Sequence, residues 1–84
     1  MNFITEENRI ICMEEQRQVG EICFPETENG VYDINHTFVD SSMQGKGIAG
    51  QLVALAIEEI KRKGGKITAS CSYAKRYMEK NNIN

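Results

Sequence analysis

The stretch Gln44-Gly45-Lys46-Gly47-Ile48-Ala49 joins a β-type segment to the start of an amphipathic helix. Glycines let a backbone adopt positive φ angles and approach a ligand closely. The first N–H groups of a helix have no intrahelical partner and carry a partial positive charge. A glycine-rich helix start is therefore typical of a site for phosphate or pyrophosphate. The structural alternative is a glycine turn that only opens the helix.

The segment after these glycines predicts a helix over residues 47–63. Apolar side chains recur at helical spacing, which places them on one face: they are Ile48, Leu52, Leu55, Ala56 and Ile60. Bases gather toward the C-terminal end, where the helix dipole favours them. Gly64-Gly65 then ends the helix.

Short β-type segments lie on both sides of the helix. Four precede it, at residues 3–5, 9–13, 19–24 and 31–39, and their short polar turns predict an antiparallel meander. Alternation in the fourth places Tyr32, Ile34, His36 and Phe38 on one face. Residues 66–71 predict a fifth strand, and residues 73–81 a short C-terminal helix. An intervening helix allows the fourth and fifth strands to run parallel, so we expect one α+β domain over residues 1–84.

Composition excludes several classes of function. A net charge of −2 argues against sequence-independent nucleic-acid binding. Cys12, Cys23 and Cys71 form no C-x-x-C pair and the chain has one histidine, so we expect no metal site. Thiols of this kind fit a reducing cytoplasm. Neither a secretory signal nor an apolar run of about 20 residues is present, so we expect a cytoplasmic protein that does not enter a membrane.

The glycine stretch also fits the dinucleotide fingerprint G-x-G-x-x-G, over Gly45-Lys46-Gly47-Ile48-Ala49-Gly50. That fingerprint follows its strand immediately and requires an acidic residue at the end of the next strand. Here the loop Asp40-Ser41-Ser42-Met43 intervenes, and the next strand ends in Ser70-Cys71-Ser72. Both departures argue against a nicotinamide or flavin site.

Three motifs resemble those of the GNAT superfamily of acyl-CoA-dependent N-acyltransferases. Gln44-x-x-Gly47-x-Ala49 is similar to its Q/R-x-x-G-x-G/A signature. Residues 34–39, Ile-Asn-His-Thr-Phe-Val, resemble the Ile-x-His-Thr-x-Val strand of its small single-domain branch. Residues 71–74, Cys-Ser-Tyr-Ala, resemble the Cys-Pro-Tyr stretch of that branch, with Ser72 in place of proline. The resemblance extends over residues 3–80.

The resemblance implies a three-layer α/β arrangement and a place for CoA. In the GNAT fold the fourth and fifth strands splay apart and CoA lies in the gap. By this analogy Phe38 and Val39 pair with the pantetheine arm, and Lys75 or Arg76 reaches an adenosine-side phosphate. The backbone of the signature segment holds the pyrophosphate, and this segment comprises Gln44, Gly45, Lys46, Gly47, Ile48 and Ala49.

Acyl transfer from a thioester to an amine needs a positioned carbonyl, a deprotonated amine and a donor for the developing charge. His36 is a candidate base, or a structural histidine among apolar neighbours. Cys71 is a candidate nucleophile or a group that touches the thioester, or else a small core residue. Tyr73 is a candidate proton donor to the departing CoA thiolate, or a packing residue.

These observations predict a minimal N-acetyltransferase that uses acetyl-CoA and an amine acceptor. The sequence does not identify the acceptor, which is a small molecule or a protein, and we expect a monomer. A non-catalytic module that binds or senses acyl-CoA is the alternative. A small interaction domain with a purely structural glycine turn is a third hypothesis.

Overall fold

The first three strand segments form an antiparallel meander, as the short turns between them predict. A computed structural model describes residues 1–83. Its larger sheet has the order β1-β2-β3-β6, with all neighbours antiparallel. The strands are β1 (Asn2–Glu6), β2 (Arg9–Glu14), β3 (Arg17–Cys23) and β6 (His36–Val39). After β6 a 3-10 turn, Ser41–Met43, leads into the glycine stretch.

A smaller sheet carries the parallel pair that the topology predicts. Its order is β4-β5-β7, and β5 runs parallel to β7 in a register from Val31↔Lys66 to Ile34↔Ala69. The members are β4 (Glu26–Glu28), β5 (Val31–Ile34) and β7 (Lys66–Ala69). A helix links these two strands, as parallel neighbours require.

Residues 31–39 form two strands rather than the single strand that the sequence predicts. The chain breaks at Asn35, and β5 pairs with β7 whereas β6 pairs with β3. The break also ends the predicted alternation. Ile34 is fully buried, whereas His36 and Phe38 are exposed and do not share its environment. Because the two halves join different sheets, the sheets diverge at this point and leave a gap.

Strand β4 was not predicted, because its sequence is polar. All three of its residues are exposed, and it forms an edge that pairs only with β5 through an irregular register. A strand of this kind contributes no apolar face, so alternation gives no signal for it. Gly30, at a φ of 81°, completes the predicted turn into β5.

The two helices have nearly the predicted bounds. Helix α1 (Ile48–Arg62) begins after Gly47 and is capped at its end by Lys63, and α2 (Ser72–Lys80) follows β7. The buried residues of α1 form its inner face: Ile48, Leu52, Val53, Ala56, Ile57 and Ile60. Helix α2 buries Ala74 and Met78 in the same core, and this core also contains Ile10, Val19, Ile22, Phe24 and Ile34.

Within residues 1–83 the fold is the predicted mixed α+β architecture, with an antiparallel sheet, a central helix, a parallel strand and a C-terminal helix. Helices α1 and α2 contact each other and share one core, so both pack against the same face of the sheets. On the opposite face Ile4 is 44% exposed and Phe38 is 43% exposed. No described helix covers that outer face.

Gly20 allows α1 to lie close to the larger sheet, which gives a stability prediction. A Cβ at Gly20 would lie 3.2 Å from Leu52 Cδ1 and 3.3 Å from the carbonyl oxygen of Phe38. We expect Gly20→Ala to lower the free energy of unfolding by about 1 to 3 kcal/mol, as overpacking does. The midpoint of urea denaturation measures it.

The matched control for this prediction is Gly50→Ala in α1. There a Cβ would make only ordinary contacts, the nearest at 3.5 Å from the Tyr73 hydroxyl. Alanine is the better helix former, so this variant should gain about 0.5 to 1 kcal/mol. Equal stability in the two variants would contradict the close approach of α1 to β3.

Candidate functional site

A cleft lies between the edge of β6, the loop that follows it, and the first turn of α1. Its volume is about 420 Å³. It exists because β6 pairs with β3 while β7 pairs with β5, so neither strand closes the gap. The lining residues are Thr37, Val39, Met43, Gln44, Gly45, Gly47, Ile48, Ala49, Gly50 and Tyr73.

One wall of the cleft is the open edge of β6. The Asp40 N–H donates to the Val19 carbonyl at 2.8 Å, which sets the hydrogen-bonding phase of this strand. Every second residue of an antiparallel edge strand bonds its neighbour, so Phe38 bonds to β3, and Thr37 and Val39 present their N–H and C=O groups outward. Of the two residues predicted to pair with an extended ligand, Val39 has a free backbone edge. Thr37, which was not one of the two predicted residues, also presents its backbone groups outward.

The opposite wall is the N-terminus of α1. The first helical bond runs from the Gln51 N–H to the Gly47 carbonyl at 3.1 Å, and no side chain caps the helix. The N–H groups of the three preceding residues, 48–50, therefore have no intrahelical partner. Gly45 and Gly47 have φ angles of 83° and 76°, and no atom lies within 4 Å of where their Cβ atoms would be. The space above these donors is open.

Asp40 holds the loop between β6 and α1. Its carboxylate accepts hydrogen bonds from the Ser42 hydroxyl, from the Ser42 N–H at 3.0 Å, and from the Arg17 guanidinium at 3.4 Å. These bonds, those from Ser42 first, lower the pKa of Asp40. Met43 is buried beneath the loop. The loop is thus held by the hydrogen bonds of Asp40 on its polar side and by the buried Met43 on its apolar side. It leads directly into the glycine stretch that lines the cleft.

Cys71 lies where β7 ends and α2 begins, across the gap from β6. Its Sγ is 3.5 Å from the Thr37 hydroxyl. Burial is the largest single influence and raises the pKa of this thiol. Hydrogen bonds from the Ala74 N–H, the Thr37 hydroxyl and the N–H groups of Tyr73 and Thr37 outweigh it, so the pKa is lowered. Cys71 therefore carries more thiolate at neutral pH than an ordinary cysteine.

The other two thiols differ in this respect. Burial raises the pKa of both Cys12 and Cys23. Cys12 is buried in the core, whereas Cys23 is half-buried beside Glu21.

This contrast predicts selective alkylation. At neutral pH, iodoacetamide should modify Cys71 before Cys12 or Cys23, because the thiolate is the reacting form. As the pH falls, the reaction of Cys71 should persist to lower pH than that of Cys23, since the pKa of Cys71 is lowered and that of Cys23 is raised. Peptide mass spectrometry of a time course at several pH values measures the order. Faster modification of Cys23 would contradict it.

Tyr73 is the one aromatic side chain of the cleft lining. It lies in the first turn of α2, and its hydroxyl is 3.5 Å from the position of a Cβ on Gly50. The side chain is 37% exposed, so it does not serve mainly as core packing. The structure thus brings two of the three predicted catalytic residues, Cys71 and Tyr73, to the same gap.

His36 lies away from that gap. Its side chain is 53% exposed, and its Nε2 is 3.7 Å from Glu21 Oε1 on β3. The neighbouring residue Thr37 faces the cleft instead. The reason is the break at Asn35. After it, the pairing of β6 with β3, rather than the alternation of residues 31–34, determines which side chains of β6 face the cleft.

Lys75 and Arg76, the two basic residues of α2 that the sequence predicts to reach a phosphate, have different surroundings in the structure. Arg76 lines a second groove next to Tyr73, whereas Lys75 lines neither concavity. The same groove holds Tyr77 and Lys80, which the sequence interpretation did not include in the site. Helical spacing from Tyr73 was the signal that would have found them.

The remaining predicted residues lie in or beside the glycine loop. All of the segment Gln44–Ala49 lines the cleft except Lys46, which is exposed. Residues 1–83 contain no group of three or more His, Cys, Asp or Glu side chains arranged to hold a metal ion. Neither α1 nor α2, the helices of this part of the chain, has the length and apolar character of a membrane span.

Comparison with solved structures shows the same fold in other proteins. A GCN5-like candidate N-acetyltransferase from Staphylococcus aureus is 29% identical, with a TM-score of 0.77 over 96% of this chain and 80% of that one. A transcriptional regulator from Bacillus halodurans is 28% identical, with a TM-score of 0.67 over 94% and 61%. A GNAT family acetyltransferase from Elizabethkingia anophelis, solved with acetyl-CoA bound, is 19% identical, with a TM-score of 0.71 over 88% and 51%.

The chain therefore spans most of the first protein and only about half of the third. At 19% identity the third likeness concerns the fold alone. A comparison with curated protein sequences finds no significant match. A sequence profile of the GCN5-related N-acetyl-transferase family matches residues 7–83. Because that match covers nearly the whole chain, the protein belongs to the GCN5-related N-acetyl-transferase family.

Proposed function

We propose that this chain binds acetyl-CoA in the cleft and transfers the acetyl group to an amine. The observation that carries the proposal is the pairing of two kinds of backbone donor in one cleft. The open edge of β6 suits the amide groups of a pantetheine arm. The unpaired N–H groups at the start of α1 suit a pyrophosphate.

The fit of acetyl-CoA follows from these two walls. Val39 offers its N–H and C=O groups and Thr37 its C=O group at the spacing of a strand, and pantetheine has two amides that alternate in the same way. The open space above Gly45 and Gly47 admits phosphate oxygens to the backbone of the signature segment. The charge on the phosphates is favoured there by the dipole of α1, which has no acidic residue in its first turn.

For the chemistry we propose Cys71 as the nucleophile. Its thiolate is stabilised by several donors, which makes it a weak base toward an ammonium group. Nucleophilicity falls less steeply than basicity as a thiol pKa falls, so attack on a thioester carbonyl is favoured over proton abstraction. The exchange of one thioester for another is also close to balanced in free energy.

The proposed reaction has two balanced steps. In the first, the Cys71 thiolate forms a bond to the acetyl carbonyl carbon, the bond to the CoA sulfur breaks, and Tyr73 gives that sulfur its proton. In the second, a neutral amine attacks acetyl-Cys71, the new C–N bond replaces the C–S bond, and Cys71 leaves as the thiolate. The proton lost from the amine restores Tyr73, directly or through water. N–H groups at the edge of β6 stabilise the oxyanion.

His36 keeps its predicted role as a base only for an acceptor that approaches from the outer face. Its imidazole lies there beside the carboxylate of Glu21. A His36→Gln variant, assayed with the same amines, tests this role. We also expect a monomeric, cytoplasmic protein, in keeping with three free thiols, and light scattering measures the first of these properties.

Two measurements test the proposed function. Calorimetric titration with acetyl-CoA tests binding, and the absence of heat and of a thermal shift at millimolar ligand would refute it. Release of CoA thiol in the presence of a panel of polyamines, aminoglycosides and lysine peptides tests transfer. Binding without thiol release for any amine would identify the chain as an acyl-CoA-binding module instead. Intact mass after acetyl-CoA treatment without amine tests for one added acetyl group on Cys71.

A further inference from the structure

Asp33 lies on β5 close to the point where the two sheets diverge, and its side chain faces away from the core. Its neighbour Ile34 is fully buried, so alternation along the strand turns Asp33 to the outer face. Aspartate is among the residues that are depleted in strands. Departures from the local preference of an element are expected at functional sites. The two proposed steps of acetyl transfer do not use Asp33.

Two hydroxyl groups at the end of β7 hold the Asp33 carboxylate. The Thr68 hydroxyl donates to Oδ1 at 2.8 Å, and the Ser70 hydroxyl donates to Oδ2 at 2.5 Å. An ionised carboxylate has about four acceptor positions, so both oxygens keep room for a further donor. Asp33 is half-buried, and Thr68 and Ser70 are exposed. The carboxylate is therefore oriented by the protein and still accessible from the outer face.

No lysine or arginine pairs with Asp33 among the residues that the structure describes. The ion pairs within residues 1–83 involve other carboxylates. Glu21, also on the outer face, differs in this respect because the Arg9 guanidinium donates to it at 2.7 Å. Charge-assisted bonds between an ammonium group and a carboxylate are stronger than neutral hydrogen bonds. Asp33 therefore offers an oriented negative charge that a cationic ligand can neutralise.

The backbone places Asp33 next to the proposed nucleophile. The N–H groups of Ser70 and Cys71 both donate to the Ile34 carbonyl, at 3.1 Å each. Ser70, which bonds the Asp33 carboxylate, directly precedes Cys71, and consecutive Cα atoms are about 3.8 Å apart. Bond lengths alone therefore keep the carboxylate within about 12 Å of the Cys71 sulfur. A small diamine or polyamine spans a separation of this size.

We propose that Asp33 binds a second cationic group of the acceptor, and that the acceptor is therefore a diamine or polyamine. The proposal rests on the proposed function, which places acetyl-CoA between β6 and the start of α1. The outer face, which no described helix covers, remains for the acceptor. One amine stays protonated and pairs with Asp33, while the other, as the neutral amine, attacks acetyl-Cys71. The bonds formed and broken are those of the second proposed step, and Asp33 neither gains nor loses a proton.

The test compares acceptors that differ only in the second charge. Putrescine and pentylamine have the same number of heavy atoms, as do cadaverine and hexylamine, so each pair exchanges an ammonium group for a methyl group. Steady-state assays at low salt, with rates expressed per neutral amino group, measure kcat/KM. For the wild type, kcat/KM for each diamine should exceed that for its monoamine about tenfold, the size of one charge-assisted hydrogen bond. Added salt should reduce this preference.

Three variants locate the source of the preference. Asp33→Asn keeps the shape of the side chain and removes its charge, so it should lose the preference for diamines and keep the rates for monoamines. Asp33→Glu retains the charge and should retain the preference. The matched control Glu58→Gln removes an exposed charge from α1, on the other side of the sheets, and should behave as the wild type does.

Each contrary result has a distinct meaning. Equal kcat/KM of the wild type for diamines and monoamines overturns the proposal and leaves acetyl transfer intact. Equal losses for both classes in Asp33→Asn also overturn it, because Asp33 then acts on the attacking amine or on the fold. A diamine preference that survives in a folded Asp33→Asn variant places the cation elsewhere. If the wild type binds acetyl-CoA but acetylates no amine, the proposed transfer itself fails and this inference with it.

Discussion

Replacing Gly47 with valine is expected to lower the affinity for acetyl-CoA by about a hundredfold. Gly47 caps α1 at a φ of 76°, and the space where its Cβ would lie is open. A β-branched side chain there occupies the space proposed for the pyrophosphate and shifts the backbone that presents the N–H donors. The loss of charge-assisted hydrogen bonds worth about 3 kcal/mol gives this factor. Calorimetric titration measures it.

Gly64→Val is the matched control, because Gly64 has a φ of 74° and open space around its Cβ position. It follows the opposite end of α1. Both valines should cost about 1 to 2 kcal/mol of stability, since both place a branched residue in the left-handed region. Only Gly47→Val should lose the ligand. Equal affinities in the two variants would mean that the glycine turn is structural and that the pyrophosphate site is wrongly placed.

Replacing Cys71 with alanine is expected to lower the turnover number for acetyl transfer on the order of a thousandfold, since removal of a catalytic nucleophile abolishes its covalent route. The dissociation constant for acetyl-CoA should change little, because backbone groups hold the ligand. In the wild type, turnover should fall as the pH is lowered through the pKa of Cys71, which is below the usual range for a thiol. Steady-state assays over a pH series, with calorimetry for binding, measure these effects.

Cys23→Ala is the control for this second prediction. Cys23 is also half-buried and free, but its pKa is raised and it lies on β3 beside Glu21 rather than at the start of α2. Its removal should leave turnover within about twofold of the wild type, as a substitution away from the reacting atoms does. Full turnover in Cys71→Ala would exclude the covalent route and indicate direct attack of the amine on acetyl-CoA.

Local signals in the sequence predicted the helices and the parallel strand well. The apolar spacing from Ile48 to Ile60 predicted α1 to within one residue at each end. Helical spacing and the glycines before and after the helix can both be recognised within a few residues of sequence. Local features also predicted the glycine-rich loop before α1, since positive φ angles and free N–H groups are local properties of Gly45 and Gly47. The sequence did not predict strand β4, because the residues of an exposed, polar edge strand show no alternation of apolar and polar side chains.

The side-chain directions on β6 were harder to predict. Alternation counted from Tyr32 put His36 and Phe38 with Ile34, but Asn35 interrupts the strand. From there the register with β3 sets the phase, and that register depends on residues that lie far away in sequence. This is why Thr37, rather than His36, lies beside Cys71.

The sequence by itself determined that the segment Gln44–Ala49 is a glycine-rich start of an amphipathic helix, which is the kind of backbone that phosphate sites use. That property comes from backbone freedom and unpaired N–H groups, which need no distant contact. Only the tertiary structure decided what shares the site with it. The divergence of the two sheets opened the edge of β6 and set Thr37 against Cys71, and the packing of the two helices placed Tyr73 and Tyr77 beside the same helix start. Those neighbours are brought together by packing between elements distant in the chain, and no local pattern encodes their distances.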